Sequence, residues 1–151
     1  MRVSFLQTGL FAGPVGSTRG QHRFNRDAVV REAQRNVRLS TTQYGFIEMR
    51  AKAIDDPADM VALWMIGYED EPESSAEICV CEIFGSDVAA GEAAVGMGVH
   101  PFGDPSIVDE FSAENVPIDA REFHVYAAVW TADQVATSWS VRCEPQPLLL
   151  S

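Results

Sequence analysis

The segment Glu77-Ile78-Cys79-Val80-Cys81-Glu82-Ile83-Phe84-Gly85 places two carboxylates in a run that is otherwise apolar. Charge in such a run is costly unless it faces a cleft or a partner, and strands disfavour glutamate. The spacing of five poses a geometric problem, because strict alternation sends Glu77 and Glu82 to opposite faces of a sheet. A single β-bulge between Val80 and Glu82 returns both to one face. Two glutamates leaning toward one point can reach the separation of about 5–5.5 Å at which one attacks an anomeric carbon while the other, still protonated, donates to the leaving oxygen. The plain alternative is a pair of solvated charges on an edge strand.

The cysteines are Cys79, Cys81 and Cys143, an odd number, so at least one stays unpaired within a monomer. Cys79 and Cys81 are two apart in a strand, a geometry that rarely closes a disulfide. Free cysteine is usually a small buried hydrophobe, which is the expectation for both. A metal site from Cys79, Cys81 and one of Cys143, His100 or His124 lacks the two-to-four-residue gap of structural zinc sites. No metal and no other cofactor is expected. His124 stands between Phe123 and Val125 and reads as a structural hydrogen-bonder. Tyr126, Trp130 and Trp139 read as core.

These residues need strands to position them, and the chain supplies strands. From Phe46 to Ala53 the odd positions are apolar while Glu48, Arg50 and Lys52 are charged, the period of a strand with one buried face. Val61–Ile66 is continuously apolar and reads as a strand buried on both sides. Glu77–Phe84 and the glycine-rich Ala94–His100 follow. Phe123–Trp130 and Gln134–Val141 are joined by Thr131-Ala132-Asp133 as a hairpin turn. Between Ala94–His100 and Phe123–Trp130, residues 100–122 hold three prolines and read as a long functional surface loop rather than a linker. Asp27–Val37 fits a helix and a strand equally well. The acidic stretch Glu69–Glu73 is expected to be solvated. Short strands without a long helix imply an antiparallel sandwich or barrel. The expected organisation is an irregular lead-in over residues 1–26 and one domain over residues 27–151.

Four ordered segments carry a resemblance. The catalytic-type strand reads Glu-Ile-Cys-Val-Cys-Glu, similar to a Glu-x-Asp-x-x-Glu pattern. Upstream lie Tyr44-Gly45-Phe46-Ile47-Glu48-Met49-Arg50-Ala51-Lys52 and Leu63-Trp64-Met65-Ile66-Gly67. Downstream lies Glu122-Phe123-His124-Val125-Tyr126-Ala127-Ala128-Val129-Trp130-Thr131-Ala132-Asp133. Together they resemble the β-glucanases and laminarinases of glycoside hydrolase family 16. The resemblance implies a concanavalin A-like jelly roll and a retaining endo-β-glucanase activity on a β-glucan-like polysaccharide. It implies Glu77 as nucleophile, Glu82 as general acid and base, and Trp64 and His100 as substrate-binding residues. Cys79 stands where the pattern has an aspartate that supports the nucleophile. The resemblance fades after Val135, so the jelly roll is expected to be incomplete or divergent at the C-terminal side. A non-catalytic carbohydrate-binding or relic domain on the same scaffold is the second reading.

At 151 residues the chain is the size of one domain, enough to bury about 68–70% of its unfolded surface. Its 46% apolar and 22% charged content is that of an ordinary globular protein. The net charge of −11 repels phosphate backbones and anionic lipid, so neither nucleic acid nor a membrane surface is an expected partner. A neutral polysaccharide is indifferent to that charge. No run approaches the ~20 apolar residues of a membrane helix. The stretch Val3–Ala12 is too interrupted by Gln7, Thr8 and Gly9 for the apolar region of a signal peptide, although members of the resembled family are often secreted. Compartment and oligomeric state leave no mark in the sequence.

Overall fold

Alternation decides most of the secondary structure. A computed structural model of the chain describes residues 4–18, 28–71 and 74–140. Among these residues ten strands run in chain order: β1 (Gly9–Leu10), β2 (Val37–Arg38), β3 (Gly45–Ala51), β4 (Met60–Ile66), β5 (Glu77–Phe84), β6 (Val88–Ala89), β7 (Glu92–His100), β8 (Ser112–Val116), β9 (His124–Trp130) and β10 (Val135–Ser140). One 3-10 turn, Gly85–Asp87, leads from β5 to β6. Among the described residues there is no α-helix. Cys143 and the C-terminal segment from residue 141 lie outside the described residues, and with them the expectation about the C-terminal side.

The chain divides into two compact units. The first comprises Met1–Gln43, Ile66–Glu77 and Pro101–Val108; the second comprises Tyr44–Met65, Ile78–His100 and Asp109–Ser151. In the first unit β1 pairs antiparallel with β2, Gly9 opposite Arg38. The stretch read as helix or strand holds no helix; Val30 is instead pinned by backbone bonds to Gly16 and Ser17 and buried. The acidic stretch also differs from expectation. Glu69 has a positive φ of 60°, its amide donates to the Ser74 carbonyl, and only 4% of the residue is exposed. A tight turn has folded it inward. Asp70 behaves as expected, reaching Arg38 at 2.6 Å on the surface.

The second unit is a two-sheet antiparallel sandwich. One sheet has the order β10-β9-β3; the other runs β4-β5-β7, with β6 and β8 both paired to β7. In the first sheet, Met49, Tyr126 and Trp139 stand in one row across three strands, and all three join the core. Glu48 and Arg50 fall on the opposite face, as the alternation requires. Tyr126 is fully buried. From the facing sheet come Ile78, Val80, Cys81, Ile83, Ala93 and Val95. Val80 and Ile83 are 0% and 1% exposed, and such burial stabilises by about 1.5–3 kcal/mol per side chain. The β9–β10 hairpin closes as expected. The Thr131 amide donates to the Gln134 carbonyl at 2.9 Å, and the Thr131 hydroxyl accepts from the Gln134 amide at 3.1 Å.

Two readings of the sequence change here. β4 is not buried on both sides: Val61, Leu63 and Met65 pack on the core, whereas Trp64 is 37% exposed. A continuous apolar run hides which of its faces is covered. The long segment after His100 also contains a strand, β8, whose polar sequence Ser-Ala-Glu-Asn-Val masks it. Backbone pairing with β7, Met97 to Ser112 through Ala93 to Val116, makes the strand, and only Val116 is buried.

Candidate active site

Core membership along β5 runs Ile78, Val80, Cys81, Ile83. The phase switches from even to odd between two neighbours, Val80 and Cys81. A regular strand cannot put consecutive residues on one face, whereas an extra residue in a bulge does. Cys81 faces inward: it belongs to the same core cluster as Tyr126 and lies beside the Leu63 backbone. Burial pushes its thiol up to about 11, against a backbone hydrogen bond to Leu63 and with a small push from Glu82. It stays protonated at neutral pH.

The other face of β5 therefore receives Cys79 and Glu82. Both lie against Gly96 of β7. The Cys79 thiol donates to the Gly96 carbonyl at 3.7 Å, and a Cβ built on Gly96 would stand 3.4 Å from the Glu82 Cβ. Glu77 opens the strand two residues before Cys79 and is 5% exposed; Glu82 is partly exposed. On β7, Ala93, Val95, Met97 and Val99 take the core side, so Gly96, Gly98 and His100 share the face of Glu82. Trp64 occupies that same non-core face on β4, the strand next to β5.

His100 is braced from the long segment that follows it, by two residues the sequence did not single out. Its ring stacks on Phe111 at 4.5 Å between centroids and 29° between planes, and its Nδ1 lies 3.3 Å from an Asp109 carboxylate oxygen. Phe111 also reaches over Gly96, where an added Cβ would meet its Cζ at 2.6 Å. Two glycines, two apart in one strand, are the signal of such a close approach. Which side chain fills the gap is not encoded nearby. His124 sits elsewhere and does what was expected: buried, it donates from Nε2 to the Asp119 carbonyl at 2.8 Å. Among the described residues no group of three or more His, Cys, Asp or Glu is arranged to hold a metal ion. No helix there is long and apolar enough to cross a membrane.

The fold is thus an all-β antiparallel sandwich with polar and aromatic side chains on the non-core face of one sheet. A family model for glycosyl hydrolases family 16 matches residues 29–145. The chain belongs to that family, whose jelly roll accounts for the sandwich and whose substrates are carbohydrates. Neither a curated protein nor a solved structure matches the chain.

Proposed function

We propose that this protein is a retaining endo-β-glucanase that cleaves O-glycosyl bonds in a β-glucan-like polysaccharide, with Glu77 as nucleophile and Glu82 as general acid and base. The observation that carries the reading is the phase switch at Val80–Cys81. It is the one local distortion that lets carboxylates five residues apart serve one sheet face. Glu77 attacks the anomeric carbon and Glu82 gives its proton to the departing oxygen; Glu82 then takes a proton from the water that releases the sugar. Trp64 and His100 bind substrate on the strands either side.

One observation favours a second reading, a carbohydrate-binding domain without catalysis. Cys79 is fully buried and spends its thiol on the Gly96 carbonyl. A thiol is a weak donor and, when neutral, does little to separate the proton affinities of two carboxyls. Reducing-sugar release from laminarin and lichenan tests both. The glucanase reading expects release by the wild type, its loss in Glu77→Gln, and a fall of about 10²–10⁴-fold in Glu82→Gln. Equal binding of glucan by wild type and Glu77→Gln, with no release by either, would leave the binding domain.

A further inference from the structure

Gly96 and Gly98 leave the middle of β7 without side chains on the face that carries Glu82. The space is not empty. Phe111, from the segment entering β8, lies across it: its Cα is 2.7 Å from where a Gly98 Cβ would be, and its Cζ is 2.6 Å from where a Gly96 Cβ would be. The same point above Gly96 is 3.4 Å from the Glu82 Cβ. The ring therefore lies over Gly96 of β7, on the same side of that strand as the Glu82 Cβ. His100 stacks against it, Asp109 holds His100, and the Glu110 amide donates to the Val99 carbonyl at 3.0 Å to fix the approach.

A ring that merely filled a hole would be an expensive answer. Glycine weakens a strand interior, and an alanine at Gly96 would cover the backbone with no help from elsewhere. The chain instead gives up the side chain at Gly96 to seat one partly exposed aromatic beside a carboxylate, while Gly98, at φ 132°, lets the Glu110–Phe111 backbone come close. Sugars present that combination of surfaces: hydroxyls around the rim for carboxylates, and C–H groups on the face for an aromatic ring.

We infer that Phe111 is a substrate-binding residue, an aromatic platform on the β7 side of the site that stacks on the sugar unit next to Glu82. This rests on the proposed glucanase reading and adds a residue to it. With Glu82 as the proton donor to the departing oxygen, the unit it stacks on is the one that leaves. His100 stacks on the ring and helps hold it in place, and Gly96 sets how low the ring can sit.

The test uses Phe111→Tyr, which keeps the ring, and Phe111→Leu, which fills the gap with an apolar group but has no ring face. Hydrolysis of laminarin and lichenan is measured with all variants. Binding of oligosaccharides prepared from the same glucans is measured by calorimetry in a Glu77→Gln background, with melting temperature recorded for each. Stacking on a ring corresponds to about tenfold in affinity. The expected result is a KM and dissociation constant about tenfold weaker in Phe111→Leu, little change in kcat, near-normal values in Phe111→Tyr, and unchanged melting. Phe111→Leu binding as tightly as wild type overturns the platform, as does an equal loss in both variants that tracks a loss of melting temperature. If release of sugar proves independent of Glu77 and Glu82 while binding still needs the ring, the glucanase reading fails and the platform stands. Absence of any glucan binding overturns both.

Discussion

At Cys79 a neutral thiol occupies a position two residues after one glutamate and three before another, on the side of β5 that faces Gly96. Replacing it by aspartate would place a carboxyl where, protonated, it can donate to the Glu77 carboxylate, and where, ionised, its charge helps a neighbouring carboxyl keep its proton. On the glucanase reading, Cys79→Asp hydrolyses glucan as fast as wild type or faster. The gain comes with lower thermal stability, because a carboxylate then sits beside the Gly96 carbonyl in a position that is 0% exposed. Loss of an existing activity in this variant would mean that the thiol itself takes part. Tyr126 poses a different question on the core side. Its hydroxyl is buried with no hydrogen-bond partner among the described residues, and burial lifts it to about 12, with the neighbouring Cys81 adding to the shift. Leaving a polar group unsatisfied costs about 1–3 kcal/mol. Tyr126→Phe removes the group while keeping the ring that Met49 and Trp139 pack on. Urea unfolding should show it as stable as wild type or more so; a clear loss of stability would reveal a partner for the hydroxyl.

Among the strands, β7 is the one whose shape is set by backbone rather than side chains. Gly98 has φ of 132°, a conformation open to glycine and strained for other residues. A Cβ there would also come within 2.2 Å of the Glu110 carbonyl oxygen, so β7 and the segment entering β8 would have to part. Gly98→Ala is expected to destabilise by at least about 2 kcal/mol, combining backbone strain with the lost approach. Activity should fall further than stability alone explains, because Phe111 and His100 move with that segment. Chemical denaturation and glucan hydrolysis on the same preparation measure the two effects. A variant as stable as wild type would mean that the Glu110 approach is looser than its geometry.

Across the whole molecule the dominant electrostatic fact is a net charge of −11. Mild acid relieves that self-repulsion, so an effect in the opposite direction stands out at low pH. Asp119 supplies one. Two hydrogen bonds from the Arg121 guanidinium, at 2.7 and 2.8 Å, hold its carboxyl down at about 2. A carboxyl held below its unfolded value contributes stability above roughly pH 4, and loses it as pH falls through the folded value. Both side chains are part exposed, so water screens the pair and the contribution is modest. The melting temperature of the wild type should therefore drop between about pH 4 and pH 2 more steeply than that of Asp119→Asn. Parallel curves for the two proteins would show that the pair contributes nothing to folding.

The sequence by itself determined six of the strands, β3, β4, β5, β7, β9 and β10. The alternation in Phe46–Ala53 reappears as β3, Glu77–Phe84 is β5 residue for residue, and Tyr126, Trp130 and Trp139 join the core. Binary pattern is a local quantity, and a period of two can be read from neighbours alone. The spacing of five between Glu77 and Glu82 was legible as a geometric problem, since only a bulge puts both on one face. Tertiary structure decided where the pattern was silent. The continuous apolar run of β4 could not say that Trp64 faces outward, because only the position of the second sheet distinguishes its faces. The polar run of β8 carried no strand signal, for its backbone finds donors and acceptors on β7, more than a dozen residues away. Phe111 was invisible for the same reason: two glycines announce a gap, but the ring that fills it arrives through long-range pairing, which no local spacing records.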